Sequence, residues 1–217
     1  VKEESPHELA GFVRAARASM TFPADLLPVR MDWSSYAGKR RQLPWFLLSA
    51  LLLSGSGYSI FLHASGGRKD NRIYTPEALQ SLGIKSCATL TEAGAEIKRR
   101  NFAFMNIEQL CPRLHEIIEL RPLLGLRSPV NTLTRMLNPF NSPVMLQGIF
   151  HPGYRDIHQE AALILGQPYM AAIKGEGGEI ERNPDAPCLV KGVNQGVLQD
   201  EEWPRLFTGP RHLKDET

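Results

Sequence analysis

Short apolar runs alternate along the chain with longer amphipathic segments, and each kind predicts its own element. Apolar runs that end in glycine or polar residues are typical of buried strands. They occur at residues 58–62, 102–105, 144–150 and 169–173. Helices are predicted between or before them, at residues 75–83, 89–100, 112–120 and 154–165. Strands that alternate with helices of about ten residues predict an α/β fold with a mostly parallel sheet.

Two further helices are expected in the first quarter of the chain. Ser5, Pro6 and Glu8 form a helix start, with serine as the N-cap residue. Pro44 opens a second segment that is apolar on nearly all sides, which predicts a buried helix. The longest apolar run, residues 45–53, is far too short to span a bilayer, so no membrane contact is expected.

Composition alone says little about partners, but the distribution of charge says more. The chain has 217 residues, 42% of them hydrophobic, and a formal net charge of +2. Residues 39–41 are three consecutive cations, residues 68–72 contain three more, and residues 98–100 close a predicted helix with three. At residues 98–100 the cations offset the helix dipole without any ligand. The other two clusters favour a groove for a polyanion over a basic tail.

The cysteines exclude two kinds of framework. Cys87, Cys111 and Cys188 lie far apart and form no CxxC pair, so neither a zinc site nor a disulfide scaffold is indicated. We expect them to be reduced and buried, in a cytosolic protein. The chain begins with Val1 and enters a helix at once, so we expect it to be a fragment.

A loop rich in glycine and glutamate follows the apolar run at residues 169–173. In open α/β folds, ligands bind just beyond the carboxyl ends of the strands. The glycines let the backbone approach a phosphate, and Glu176, Glu179 and Glu181 could hold a cation. The alternative is a solvated turn without a ligand.

Several segments resemble the anthranilate phosphoribosyltransferase-like proteins (glycosyltransferase family 3). They are residues 4–14, residues 121–131 with their Arg-Pro and Leu-Gly pairs, and the Leu-Asn-Pro of residues 137–139. The resemblance implies a nucleoside phosphorylase/phosphoribosyltransferase-like fold, a mixed sheet flanked by helices. Residues 1–22 would be the remnant of a small N-terminal helical domain, and residues 23–217 the α/β domain, truncated at its C-terminus. Family members pair through the helical domain, which implies a homodimer for the full-length protein.

The chain departs from this family where the family binds its substrate. True transferases hold the diphosphate of phosphoribosyl diphosphate on a Gly-Thr-Gly-Gly-Asp loop, but residues 34–41 read Ser-Ser-Tyr-Ala-Gly-Lys-Arg-Arg. The family's Lys-His-Gly-Asn-Arg survives in altered form around His63 and residues 65–72. Its magnesium-binding Asp-Glu pair aligns with Ile180 and Glu181, so one ligand is lost unless Glu179 substitutes. These departures resemble the branch that does not make tryptophan, whose members form dimers and bind nucleic acids with little sequence preference.

The candidate site residues follow from this resemblance together with the charge pattern. The predicted phosphate contacts are Lys39, Arg40, Arg41, Arg68, Lys69 and Arg72, with Arg135 and Lys174 added from the cleft. The predicted substrate-like cleft contains Gly38, His63, Arg121 and Asn131. Glu179 and Glu181 are the candidate metal ligands. The favoured alternative is that these acids no longer bind a metal and instead cap or hydrogen-bond the basic loop. No residue is assigned a catalytic role, because His63 has no visible carboxylate or nucleophile as partner.

Aromatic residues near the basic loop form a separate group of candidates. Trp33, Tyr36 and Trp45 could stack on nucleic-acid bases. For Trp45, packing in the core is the favoured interpretation.

Three functions remain open at this point. The first is binding of single- or double-stranded nucleic acid without sequence preference, by a fold that has lost its diphosphate loop. The second is a magnesium-dependent phosphoribosyl- or glycosyltransferase that acts on an aromatic or nucleobase acceptor. The third is a non-catalytic scaffold that works through its dimer surface. Only the second requires a cofactor, Mg²⁺.

Overall fold

A seven-stranded sheet forms the centre of the described part of the chain. The computed structural model describes residues 4–40, 42–66, 71–125 and 130–207. The strands are β1 (Met31–Ser35), β2 (Ile60–Ala64), β3 (Phe102–Asn106), β4 (Val144–Ile149), β5 (Tyr169–Lys174), β6 (Cys188–Asn194) and β7 (Val197–Trp203).

The strand order is β3-β2-β1-β4-β5-β6-β7. Strands β1 to β5 run parallel, and β6 and β7 are antiparallel to their neighbours. The prediction of a mixed, mostly parallel sheet is therefore confirmed. The chain builds outward from β1 to β3 on one side and then returns to place β4 beside β1. In open α/β sheets such a reversal marks the crevice where ligands bind.

The helices connect and cover these strands. They are α1 (Pro6–Ala18), α2 (Phe46–Gly55), α3 (Thr75–Ser81), α4 (Leu90–Arg100), α5 (Ile107–Leu110), α6 (Pro112–Glu119), α7 (Arg121–Leu124), α8 (Val130–Leu133) and α9 (Tyr154–Ile164), with 3₁₀ turns at Thr134–Met136 and Glu176–Gly178.

Helix α1 begins as its sequence predicts. The Ser5 hydroxyl accepts a hydrogen bond from the Glu8 N–H, and the Glu8 carboxylate accepts one from the Ser5 N–H, which completes a capping box. Leu9 and Val13 are buried against the rest of the core, and Arg17 donates from Nε to the Leu137 carbonyl at 2.6 Å. The boundary expected at residue 22 stays a prediction.

The two faces of the sheet have separate cores. Phe61 and Met105 point to the face covered by α1 and α9, while Leu62 and Phe104 point to the face covered by α2. Because strands buried on both faces need apolar residues at successive positions, β2 and β3 read as continuous apolar runs. Those runs are what made them predictable.

Three features differ from the predictions. Strand β1, the central strand, was not predicted as a strand because only Met31 and Trp33 are apolar in it. The antiparallel strands β6 and β7 were not predicted either. Helix α2 was predicted to be buried on nearly all sides, which is wrong. It lies in the outer layer, so Leu48 and Leu52 on its outward face are 51% and 73% exposed.

The cysteines are free and buried, as predicted. No helix in the described part of the chain has the length and apolarity needed to cross a membrane.

The segment after β5, residues 175–181, turns back over the ends of β4 and β5, and we call it the return segment. Its approach is so close that two glycines are required. A Cβ added to Gly175 would lie 1.5 Å from the Glu179 carbonyl oxygen, and one added to Gly148 would lie 2.1 Å from the Glu179 carbonyl carbon. The close approach of the Glu179 backbone to Gly148 and Gly175 fixes the position of Glu179.

We expect Gly175→Ala to lower the free energy of unfolding by at least ~1–3 kcal/mol, since the backbone of Glu179 would have to move. Gly94→Ala in α4 is the matched control. Its added Cβ meets nothing within 4 Å, and alanine should stabilise the helix by up to ~1 kcal/mol. Urea unfolding of the two variants measures both changes. Equal stabilities would show that the return segment does not pack as described.

Candidate functional site

The candidate site lies at the edge where the parallel strands β1 to β5 end. Two segments meet there: residues 36–39, which follow β1 and which we call the β1 loop, and the return segment after β5. The β1 loop lies within residues 34–41, the segment predicted from the sequence to correspond to the diphosphate loop of the transferases. Gly177 and Gly178 of the return segment pack directly on it, since a Cβ on either would come within 3.2 Å of Gly38 or Ala37.

Close contacts hold the backbone of the β1 loop. Gly38 has a φ of +66°, and a Cβ there would lie 2.9 Å from the ring of Tyr74. Lys39 pairs with Ile73 through backbone hydrogen bonds of 2.9 and 2.8 Å. These contacts aim the backbone N–H groups of the loop toward the return segment.

Glu179 fills the position to which those N–H groups point. The N–H groups of Ala37 and Gly38 donate to Oε1 of Glu179 at 2.7 and 2.8 Å, and the residue is 0% exposed. Converging backbone amides form anion-binding sites in many proteins. Here the anion is a carboxylate of the same chain.

A cation holds the other side of the β1 loop. Arg72 donates from Nη1 to the carbonyl oxygens of Ala37 and Gly38, at 2.9 and 3.2 Å. The loop therefore gives its N–H groups to an anion and its carbonyl groups to a cation. Both polar sides of this backbone are satisfied within the chain, which a buried loop requires.

Burial raises the pKa of Glu179 above its ordinary value of 4.5. The charge of Arg135, the hydrogen bonds from Ala37 and Gly38, and the Ser35 hydroxyl oppose this effect without cancelling it. Arg135 itself donates to the Gly178 carbonyl at 3.2 Å.

A second acid of the return segment pairs with a buried cation. Lys39 is 2% exposed, and its Nζ lies 3.2 Å from Oε2 of Glu181. Removing one partner of a buried pair leaves an uncompensated charge. A phosphate that contacts Lys39 would therefore compete with Glu181 for a cation that is already paired.

A chain of three polar side chains runs from the centre of the sheet to the same edge. His63 is fully buried in β2. Its Nε2 lies 3.1 Å from Oδ2 of Asp32, and its Nδ1 lies 2.7 Å from the hydroxyl of Tyr36. One tautomer satisfies both contacts, with Nε2–H donating to Asp32 and Nδ1 accepting from Tyr36. Burial, followed by the charge of Asp32, raises the pKa of Tyr36 well above 10.

This arrangement supplies the carboxylate partner that the sequence did not reveal for His63. The parallel register places Asp32 beside Phe61, two residues from His63 and on the same face of the sheet. If β1 had been recognised as a strand in the sequence, Asp32 could have been predicted as the partner of His63. The His63 side chain is buried within the sheet. Its assignment to a substrate-like cleft stays a prediction.

The remaining candidate residues are distributed as follows. Arg40 and Lys174 are exposed, and Asn131 is half-buried on α8. The backbone of Arg121 lies in α7, while its side chain is outside the described part. Also outside the described part are Arg41, Arg68, Lys69 and the side chain of Glu176.

The acidic residues Glu179 and Glu181 are engaged by the chain itself. Glu179 accepts from two amides and Glu181 pairs with Lys39. Both amides donate to Oε1 of Glu179, whereas its Oε2 is buried without a hydrogen-bond partner among the described residues. A magnesium ion binds carboxylate oxygens, so at Glu181 and at Oε1 of Glu179 it would have to compete with these contacts. In the described part of the chain, no group of three His, Cys, Asp or Glu side chains is placed to hold a metal ion. The assignment of Glu179 and Glu181 as metal ligands stays a prediction.

Comparison with known proteins gives sequence relatives. No family model matches the chain. It is 33% identical over 220 residues to an uncharacterized protein of Aquifex aeolicus, with 100% of this chain and 66% of that protein covered. It is 26% identical over 200 residues to the anthranilate phosphoribosyltransferase of Oleidesulfovibrio alaskensis, with 92% and 60% covered. The chain thus spans less than two thirds of the length of these relatives.

Solved structures show the fold. The anthranilate phosphoribosyltransferase of Thermus thermophilus superposes with a TM-score of 0.74 at 23% identity, over 93% of this chain and 60% of that one. The chain therefore has the phosphoribosyltransferase-like α/β fold. Together with the sequence relatives, this structure supports the resemblance to the anthranilate phosphoribosyltransferase-like family.

We expect Glu179→Gln to change how stability depends on pH. Because the folded-state pKa is raised, the folded protein binds more protons than the unfolded chain between pH 4.5 and the raised value. The free energy of unfolding of the native protein should fall as pH rises through that window. Glutamine cannot ionise, so the stability of the variant relative to the native protein should increase with pH.

Urea unfolding of both proteins between pH 4.5 and 8 measures this difference. Glu202→Gln, at an exposed position of β7, controls for the change in net charge. A relative stability that decreases with rising pH would show that the amide hydrogen bonds outweigh burial at Glu179.

Proposed function

We propose that this chain binds nucleic acid without sequence preference, on a phosphoribosyltransferase-like fold whose diphosphate loop no longer serves a diphosphate. The observation that carries the proposal is the contact between Glu179 and the amides of Ala37 and Gly38. The cytosolic location and the homodimer of the full-length protein belong to the same proposal.

The contact argues against diphosphate binding at the β1 loop for two reasons. The N–H groups that would donate to a phosphate already donate to Glu179. A diphosphate would also approach a buried carboxylate, where the repulsion between like charges is weakly screened. Lys39 and Arg72 then serve to hold the loop together rather than to bind substrate.

The same edge presents cations that are not used inside the described part of the protein. The side chains of Arg40 and Lys174 are exposed, and neither has a hydrogen-bond or ion-pair partner among the described residues. β1 and β5 are separated only by β4, so their ends lie about 10 Å apart. Exposed point charges of this kind contact phosphates without reading bases.

Neutralising these cations should weaken binding and reduce its salt dependence. We expect the double variant Arg40→Gln/Lys174→Gln to lose affinity for a labelled oligonucleotide. Its slope of log affinity against log salt should become shallower by about 1.4 for a single strand, since each lost phosphate contact contributes about 0.7. Fluorescence anisotropy at a series of salt concentrations measures the slope.

The control is Arg30→Gln/Lys98→Gln, which removes the same two residue types. Arg30 precedes β1 and Lys98 lies in the last turn of α4 before β3, and both are exposed at the opposite edge of the sheet. Equal effects of the two double variants, or no effect of either, would refute the proposed binding edge.

A magnesium-dependent phosphoribosyl- or glycosyltransferase with an aromatic or nucleobase acceptor is the second candidate. It is favoured by the relatives, since the Oleidesulfovibrio and Thermus proteins are both anthranilate phosphoribosyltransferases. It requires Glu179 to release the amides of Ala37 and Gly38 so that a diphosphate can enter the β1 loop.

A further inference from the structure

Trp45 is exposed where the sequence favoured core packing. Its side chain is 52% exposed, whereas Trp33 is 4% exposed and stacks against Phe46 with ring centroids 6.1 Å apart. The core on this face of the sheet is therefore completed by Trp33 and Phe46, without the ring of Trp45. The interpretation of Trp45 as a core residue is wrong.

The position of Trp45 follows from the topology. Helix α2 connects β1 to the parallel strand β2, so the helix must begin at the edge where β1 ends. Trp45 directly precedes α2. It lies five residues after Arg40, which limits the distance between their Cα atoms to about 18 Å. An exposed indole and an exposed guanidinium thus share the proposed binding edge.

We propose that Trp45 stacks on an unpaired base of a single strand whose phosphates are held by Arg40 and Lys174. This inference rests on the proposed nucleic-acid binding and names the form of nucleic acid that the site prefers. Bases in a single strand offer a free face to an aromatic ring, and such stacking tolerates any sequence. Bases in a duplex are already stacked on each other and must be unpaired first.

Other exposed apolar side chains of α2 provide a comparison. Leu52 is 73% exposed, but it lies seven residues further along the helix, about 10 Å from Trp45 along the axis. It has no ring and is more distant from the cations. A nucleic-acid strand bound by Arg40 and Trp45 therefore does not require a contact with Leu52.

The test compares a labelled 20-mer of deoxythymidine with a duplex of the same length, by anisotropy at constant salt. Trp45→Ala should weaken binding of the single strand by about 5-fold or more, corresponding to the lower range for base–aromatic stacking. Duplex binding should change much less. Trp45→Phe should retain most of the single-strand affinity, and Leu52→Ala should leave both affinities unchanged.

Tryptophan fluorescence gives a second readout that does not depend on the alanine variant. Trp203, 38% exposed at the end of β7, is replaced by Phe in both proteins so that quenching by the single strand reports Trp45. In that background quenching should be largely lost in Trp45→Phe, since Trp33 is buried and cannot stack on a base. An unchanged ratio of single-strand to duplex affinity in Trp45→Ala, with unchanged quenching in Trp45→Phe, would overturn the stacking role alone. Absence of binding to both probes by the native protein would overturn the proposed function and this inference with it.

Discussion

The site depends on one interaction, the acceptance of two backbone hydrogen bonds by the buried carboxylate of Glu179. Burying a carboxylate is costly unless donors compensate it. The N–H groups of Ala37 and Gly38 donate to Oε1 and Arg135 adds a nearby positive charge, which reduces the cost of burial without cancelling it. The arrangement is possible only because Gly148 and Gly175 leave room for the backbone of Glu179. The amides of the β1 loop are thereby occupied by a carboxylate of the same chain.

The cations of the edge fall into two groups. Lys39 and Arg72 are turned inward, where they pair with Glu181 and with the loop carbonyls. Arg40 and Lys174 are exposed. A sequence shows only that the four are positively charged. Their separation into structural and solvent-facing cations depends on side-chain direction, which the spacing along the chain does not determine.

The predictability of the fold follows the same physical logic. Strands β2, β3, β4 and β5 were predictable because burial on both faces makes most of their residues apolar. Strand β1 was missed because it carries Asp32, Ser34 and Ser35 at buried positions. Asp32 is compatible with that burial through His63, a residue distant in sequence. Such a partner becomes visible only once the strands are paired. The exposure of Trp45 and Leu52 could not be predicted for a similar reason, since an evenly apolar helix does not show which side meets the sheet.

We propose that Glu179 excludes a diphosphate from the β1 loop. The most direct measurement is thermal unfolding of the native protein with phosphoribosyl diphosphate and Mg²⁺, against Mg²⁺ alone. We expect no difference in melting temperature between the two. A ligand present at a hundred times its dissociation constant would add about 2.7 kcal/mol to the free energy of unfolding. A stabilisation of that size that requires both the diphosphate and the metal would show that the β1 loop admits a diphosphate and would favour the transferase.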